Sequence, residues 1–437
     1  MSTAEQPKLV RAIGRWSLTA LVVNGIVGSG IYGLPSEITR LLGAFSPWAY
    51  VIGAVGIAAI MACFAEVASQ FPECGGPYLY SRLAFGQFWG ILMGWFNWLV
   101  RLTSAAANAN VFIAYLAQFV PAASAALPRA AVMTVLLGAL AAVNLRGVKL
   151  GAGVNTFLAA AKLAPLAIFI VLGLWLARGA WPAPPSALLA PGVPAAGNWL
   201  TAILLLIFAY GGFEIATFGM AEARNTRRDI PFALFTGVAA VFVIYTLIQV
   251  VVVRVLGSTA GGAAPIAEAA RVFLGPAGAA FMSVGALLSV YGNLSGSLLN
   301  GPRLTYAMAE CGDFPPILGA VGRRFHTPYV SILLYALLTL ALALFGSFRW
   351  NAVLAAAGRL FTYASVCAAL LVFRRKQPAS DAFRLRAAPV WVVVSITFLA
   401  AAALRMDRGT VAALAATLIV SLATWVWARG GRARAAG

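Results

Sequence analysis

Five ionisable residues lie deep within the apolar stretches of this chain: Glu66, Arg101, Lys162, Glu214 and Arg359. A charge at membrane depth costs roughly 3 kcal/mol or more, so such residues are rare and are by default candidates for function. Buried carboxylates and amines can pair, exchange a proton or bind a charged solute. The sequence therefore predicts a chemistry of charged groups and protons in surroundings that exclude water.

Lys162 lies in the stretch Phe157–Ile168, too far from either end of its apolar segment to reach water easily. Burial disfavours the charged form of a lysine, so its amine could bind and release a proton near neutral pH. This property suits proton coupling. A structural alternative stays open, in which a permanent ammonium replaces a cation by donating to unwound backbone carbonyls.

The other four residues also have a functional and a structural interpretation. Glu214 could pair with a substrate amine or accept hydrogen bonds from backbone amides. Arg101 could face the carboxylate of a solute or pair with a buried acid such as Glu66. Arg359 could approach the outer surface or brace its helix. Glu66 fits a gate or a structural acid near the inner face.

Two glycine-containing motifs interrupt long apolar segments, and they must position these side chains. Gly28-Ser29-Gly30-Ile31 interrupts one segment, and Phe208-Ala-Tyr-Gly-Gly-Phe-Glu214 interrupts another about 180 residues later. Glycine costs a helix interior roughly 1 kcal/mol relative to alanine. Backbone groups freed in a bilayer need a partner. Paired interrupted helices in two halves of a chain indicate the substrate site of a secondary transporter.

Composition defines the broad class of protein. Of 437 residues, 62% are hydrophobic and 10% are charged, and the mean hydropathy is +0.90, which indicates an all-α polytopic membrane protein. Four scattered cysteines and a single histidine, His326, provide no metal site, cofactor site or catalytic cluster, so we do not expect an enzyme. The short, polar N-terminus does not resemble a cleaved signal peptide. A channel would need a continuous polar pore rather than two broken helices.

The apolar segments and the basic residues predict a topology. Twelve segments are long enough to cross a membrane: 14–40, 48–71, 86–120, 129–145, 150–177, 198–221, 231–257, 276–309, 328–346, 350–373, 388–404 and 409–429. With the N-terminus inside, 20 basic residues fall on the inner side and 8 on the outer side. The positive-inside bias then makes both termini cytoplasmic. The net charge of +19 reflects orientation and contact with anionic lipids, and we expect no nucleic-acid partner.

Three longer motifs accompany the two breaks: Glu66–Tyr78, Ala221–Pro231 and Pro302–Pro315. In this order the five motifs resemble the amino acid–polyamine–organocation transporter family over nearly the whole chain. The resemblance implies one transmembrane domain with alternating access and a LeuT-like arrangement of two inverted five-helix repeats. The repeats would span about 14–177 and about 198–373, with broken helices 1 and 6, and helices 11 and 12 would follow at about 388–429.

The resemblance also implies the roles of particular residues. The substrate carboxylate would meet the amides of Ser29 and Gly30, with Gly28 allowing close approach of the backbone. The remaining implied roles are the carbonyls of Ile26, Phe208 and Gly211 for the substrate amine, the ring of Phe208 as a cover, Glu214 as the proximal gate, Tyr363 as the distal gate, and Lys162 at the position of a coupling cation. Apart from the resemblance, we expect the ammonium of Lys162 to reach carbonyls of the first break and a hydroxyl of helix 8 such as Ser289.

The sequence therefore favours a bacterial-type permease of the inner membrane that carries an L-amino acid without sodium, by proton symport or exchange. An antiporter of polyamines or other amines that uses Glu214 is the alternative. Arg101 would tune the choice of side chain, and with Arg359 it could favour an acidic substrate. The expected partners are a small solute, protons and membrane lipids, and the sequence leaves open whether the chain forms a homodimer.

Overall fold

The computed structural model describes residues 14–71, 76–147, 152–176, 192–214, 225–257, 261–376 and 383–436. Regular structure within these ranges is entirely helical. The fourteen α-helices are α1 (Arg15–Ile26), α2 (Ser29–Leu42), α3 (Ser46–Gln70), α4 (Gly76–Phe85), α5 (Gln87–Leu116), α6 (Ala126–Leu145), α7 (Ala152–Leu176), α8 (Ala196–Tyr210), α9 (Thr226–Leu256), α10 (Pro265–Glu310), α11 (Tyr329–Phe345), α12 (Phe348–Lys376), α13 (Ala388–Ala403) and α14 (Arg408–Ala436).

The lengths and surfaces of these helices suit a membrane. Seven helical stretches of the described residues are long and apolar enough to cross a bilayer, and four shorter apolar helices accompany them. Large apolar side chains face outward, including Phe345, Leu127 and Trp175, which are 92%, 82% and 79% exposed. Lipid stabilises such a surface, whereas water would not. The chain is therefore built as a multi-pass membrane protein.

Both predicted breaks are present as interruptions of helical geometry. α1 ends at Ile26 and α2 begins at Ser29, because Val27 and Gly28 are extended. α8 ends at Tyr210, where Gly211 is extended and Gly212 has a φ of +115°. Only glycine adopts such a φ without strain. Residues 215–221 of the predicted sixth segment, residues 221–224 of the motif Ala221–Pro231 and residues 72–75 of the motif Glu66–Tyr78 lie outside the described residues.

Two features differ from the predicted segments. α4, a helix of ten residues after the second segment, was not predicted, because it is too short and too mixed in polarity to resemble a membrane span. α10 begins at Pro265 rather than near 276, and Gly275, with a φ of +68° and a ψ of −165°, kinks it. The stretch before Gly275 was missed because the charged residues Glu268 and Arg271 weaken its hydropathy signal.

Small residues bring the helices close together around the middle of the molecule. A Cβ at Gly358 of α12 would lie 2.7 Å from the side chain of Val100 on α5. Nearby, the rings of Phe96 and Phe361 stack with their centres 4.9 Å apart. Glycine and alanine at such contacts let helix backbones approach within a bilayer. Arg101 follows Val100 and Arg359 follows Gly358 in the sequence. This packing therefore holds the two arginines on neighbouring helices.

Candidate functional site

The two helix breaks contact each other. A Cβ at Gly30 of α2 would lie 2.7 Å from the Cα of Ala209 on α8, and one at Gly212 would overlap the carbonyl of Gly25 on α1. Contacts below 3.0 Å are essentially never made by real Cβ atoms, so these positions fit only glycine without a shift of backbone. The backbone groups freed by both interruptions therefore lie in one region.

A cavity of about 810 Å³ lies beside this contact. Its walls come from α1, α2, α5, α6, α8, α10, α11 and α12, and they include both glycine breaks. At one end the cavity reaches the surface beside three exposed residues, Arg303, Phe325 and His326. A volume of this size lies in the range typical of small-molecule sites.

The N-terminus of α2 lies in the wall of the cavity. The first amides of an α-helix have no partner within the helix, and the helix dipole adds partial positive charge there. The amide of Ser29 donates to Oδ1 of Asn108 at 3.3 Å, and both Ser29 and Gly30 line the cavity. Such a helix end can bind a carboxylate.

The carbonyls that the resemblance assigned to a substrate amine lie at the same place. The carbonyl of Ile26 accepts from the Tyr245 hydroxyl at 3.0 Å, and that of Phe208 accepts from the Gly211 amide at 3.3 Å. A carbonyl oxygen has two lone pairs, so each retains one for a further donor. Phe208 itself lines the cavity, and its ring meets Phe348 edge to face.

Lys162 on α7 reaches the break between α1 and α2. Its ammonium donates to Oδ1 of Asn293 at 2.7 Å and to the carbonyls of Asn24 and Val27, both at 3.5 Å. The Asn293 amide also donates to the Val27 carbonyl at 3.2 Å. No carboxylate of the described residues forms an ion pair with this ammonium. Neutral oxygen atoms therefore hold it.

Ser289, which the sequence suggested as the partner of Lys162 on α10, is buried but makes no hydrogen bond within the described part of the chain. The partner on α10 is Asn293, four residues later. Positions four residues apart lie on the same face of a helix. The contact of Lys162 with α10 is therefore made by Asn293 and not by Ser289.

Glu214 is the centre of a buried cluster at the second break. It accepts from the Gly212 amide at 2.8 Å, the Tyr363 hydroxyl at 2.9 Å and Nε of Arg359 at 3.3 Å. Tyr363 packs its ring against Phe64. The two residues named as gates are thus bonded to each other. Arg359 does not approach the outer surface, because it is 6% exposed and forms this ion pair.

Arg101 and Glu66 do not pair. Glu66 forms a two-pronged ion pair with Arg374, with both contacts at 2.7 Å, and accepts from the amide of Leu385 at 2.8 Å. It therefore joins the ends of α3 and α12 as a structural acid. Arg101 donates from Nε to Oδ1 of Asn97 at 3.2 Å and lines the cavity.

Several buried polar atoms of the cavity wall have no hydrogen-bond partner within the described residues. They are Oδ1 of Asn24, Oγ of Ser29, Nδ2 of Asn97, Oγ of Ser104 and Nη1 of Arg359. Most buried polar groups of proteins are bonded, so a cluster of exceptions calls for an explanation. These donors and acceptors lie around one cavity, so a polar solute bound there would supply their missing hydrogen bonds.

Two interrupted helices that meet beside a polar cavity, inside a multi-pass membrane protein, define a transporter of small solutes. Residues 13–427 match the family model described as amino acid permease, and the chain belongs to that family.

Three relatives illustrate the range of this family. The serine/threonine exchanger of Bacillus subtilis (strain 168) is 28% identical over 75% of this chain and 75% of its own length. An uncharacterised transporter of Mycobacterium tuberculosis (strain ATCC 25618 / H37Rv) is 31% identical over 83% of this chain and 80% of its own length. The methylthioribose transporter of Bacillus subtilis (strain 168) is 25% identical over 90% of this chain and 87% of its own length.

Proposed function

We propose that this permease carries L-amino acids across the cytoplasmic membrane by alternating access, through twelve crossings arranged as two inverted five-helix repeats and two appended helices. The observation that carries the proposal is the contact between two interrupted helices beside a polar cavity, since interrupted helices of this kind hold substrates near the middle of a membrane. The serine/threonine exchanger among its relatives supports an amino acid as the solute.

In this proposal the α-carboxylate of the substrate binds the amide of Gly30 and that of Ser29, which exchanges its 3.3 Å contact with Oδ1 of Asn108 for the carboxylate. The substrate amine donates to the free lone pairs of Ile26 and Phe208 and to the carbonyl of Gly211. The opposite charges of an amino acid thus match the positive end of α2 and the loose carbonyls of the breaks. The ring of Phe208 covers the bound substrate.

Lys162 couples this binding to a proton and makes sodium unnecessary. As an ammonium it bridges α7 to the carbonyls of Asn24 and Val27 and to Asn293, as a bound cation would. Loss of its proton removes the charge that attracts these oxygens, and the bridge to α1 weakens. A bridge that stabilises the inward-facing and outward-facing conformations to different extents shifts their populations when it weakens. Proton symport and exchange are both compatible with this role.

The alternative, an antiporter of polyamines or other amines, needs Glu214 to bind a substrate ammonium. Three donors already occupy this carboxylate, and one of them is the guanidinium of Arg359. A substrate ammonium would have to displace a buried ion pair whose separation leaves an uncompensated charge. The geometry therefore favours an amino acid over a polyamine.

We further propose that both termini lie in the cytoplasm and that the cavity opens inward. The open end lies beside Arg303, and the loop between α10 and α11 that borders it also carries Arg323 and Arg324. Clusters of basic residues mark the cytoplasmic side of a membrane protein.

Uptake into proteoliposomes tests the proposal. Radiolabelled amino acids are added with and without an inside-alkaline gradient, with and without sodium, and with and without internal amino acid for exchange. We expect uptake by the unmodified protein that does not need sodium, and we expect Lys162→Ala to lose the response to the gradient. Arg349→Gln, at a partly exposed position on α12 whose guanidinium lies 3.6 Å from the carboxylate of Glu37, is the control. Sodium-dependent uptake, or a gradient response that persists in Lys162→Ala, would place the coupling elsewhere.

A further inference from the structure

The described residues that line the cavity carry more positive than negative charge. Three are arginines, Arg101, Arg303 and Arg359, and one is an acid, Glu214. One acid does not balance three arginines, so the described lining keeps an excess of two positive charges. A cavity with walls of one sign concentrates solutes of the opposite sign. A solute with a net negative charge fits this cavity better than a neutral or a positive one.

Arg359 has more donors than its surroundings use. Nε contacts Glu214, and the guanidinium carbon lies 5.7 Å from the centre of the Phe208 ring. Nη1 is buried and has no acceptor among the described residues. A buried donor without a partner is unfavourable, and an added acceptor would remove that cost. The unused donor therefore lies beside the aromatic ring that we assign as the substrate cover.

Arg101 approaches the same part of the cavity from the neighbouring helix. Val100 of α5 meets Gly358 of α12, and the two arginines are the next residues along their helices. Both arginines line the cavity together with Phe208. A guanidinium presents a planar set of donors that matches a carboxylate with two parallel hydrogen bonds.

We propose that the substrate carries a second carboxylate besides its α-carboxylate, and that Arg101 and Arg359 bind this side-chain group. The substrate class is then the acidic amino acids. This inference rests on the proposed function, because it assigns the α-carboxylate to the amides of Ser29 and Gly30. With such a substrate bound, the two guanidinium groups face two carboxylates, those of Glu214 and of the substrate, and the buried charges balance.

Pairs of substrates that differ in charge but hardly in shape test the inference. The purified protein in lipid nanodiscs is titrated with L-glutamate, L-glutamine and L-lysine, and with glutarate, which lacks the amine. We expect L-glutamate to bind at least about tenfold more tightly than L-glutamine, a ratio that corresponds to about 1.4 kcal/mol. L-Lysine should bind most weakly of the three amino acids.

Variants assign the preference to the arginines. Arg101→Gln should bring the ratio of glutamate to glutamine affinity close to one, whereas Arg101→Lys, which retains a charge, should keep part of it. Arg349→Gln, at a partly exposed position on α12 that does not line the cavity, should leave the ratio unchanged. Because Arg359→Gln alone would leave Glu214 buried without its cation, Arg359 is tested together with Glu214 in the double variant Arg359→Gln, Glu214→Gln, which should also lose the preference.

The outcomes separate this inference from the proposed function. Equal binding of glutamine and glutamate by the unmodified protein would overturn the acidic substrate and leave amino acid transport standing. An unchanged preference in Arg101→Gln and in the double variant would overturn the role of the arginines. Glutarate that binds as tightly as L-glutamate would contradict an amino acid substrate, and with it both proposals.

Discussion

Gly30→Ala places one methyl group between the two helix breaks. Its Cβ would lie 2.7 Å from Cα and 3.1 Å from Cβ of Ala209, and the first of these atoms belongs to the backbone and cannot rotate away. One break must therefore shift. Overpacking of this kind costs about 1–3 kcal/mol. The gain of up to about 1 kcal/mol from replacing glycine by alanine in a helix offsets it only in part.

We expect this strain to act on binding more than on folding, because the shift falls on the amides and carbonyls assigned to the substrate. A net loss of up to about 2 kcal/mol corresponds to an affinity up to about 30-fold weaker. Affinity and exchange are measured in proteoliposomes, and the melting temperature is measured beside them. We expect affinity and exchange to fall while the protein still purifies as a folded species.

Gly296→Ala is the matched control, because this glycine also lines the cavity but a Cβ added there meets no atom within 4 Å. It should bind and exchange substrate as the unmodified protein does. If Gly30→Ala and Gly296→Ala have the same affinity and exchange rate, the contact between the breaks does not govern the site, and the reasoning is refuted.

Three further predictions follow from other contacts. Phe208→Ala should weaken binding and slow exchange, since a buried aromatic ring contributes a few kcal/mol; an unchanged transport profile would make the ring a packing residue. Asn293→Ala should reduce the response of uptake to a pH gradient, whereas Ser289→Ala should not, and equal effects would contradict the assignment of the partner on α10. Glu66→Gln should lower the melting temperature by loosening the contact with Arg374 without changing which amino acids are bound, and a changed substrate preference would contradict its structural role.

The breaks were predictable from the sequence because glycine acts locally. Gly28 and Gly212 disturb their own helices whatever surrounds them, so their positions follow from intrinsic preference. The helix α4 was missed for the converse reason, because its ten residues are held by packing rather than by their own pattern. The hydroxyl of Tyr78 and the guanidinium of Arg82, both on α4, contact Asp313. Asp313 is buried and lies more than 200 residues later in the chain.

The partners of the buried charges were not predictable, because they are distant in the sequence. Glu214 and Arg359 are 145 residues apart, and Glu66 and Arg374 are 308 residues apart. Hydropathy marks each of them as costly in a membrane but does not pair them. Asn293 was missed because an asparagine in a long helix resembles any other polar residue until the helix beside it is known.

Lys162 and Arg359, two cationic side chains that contact the helix breaks, differ in the charge of their hydrogen-bond partners. Arg359 pairs with a carboxylate, and a guanidinium stays protonated in proteins, so this cation remains a fixed charge. Lys162 is held by two carbonyls and an amide oxygen, all neutral. Its amine can lose a proton without leaving a buried anion unpaired, whereas loss of charge at Arg359 would leave Glu214 uncompensated. Of these two cations, Lys162 is therefore the one suited to carry the coupling proton, and Arg359 the one suited to bind an anion permanently.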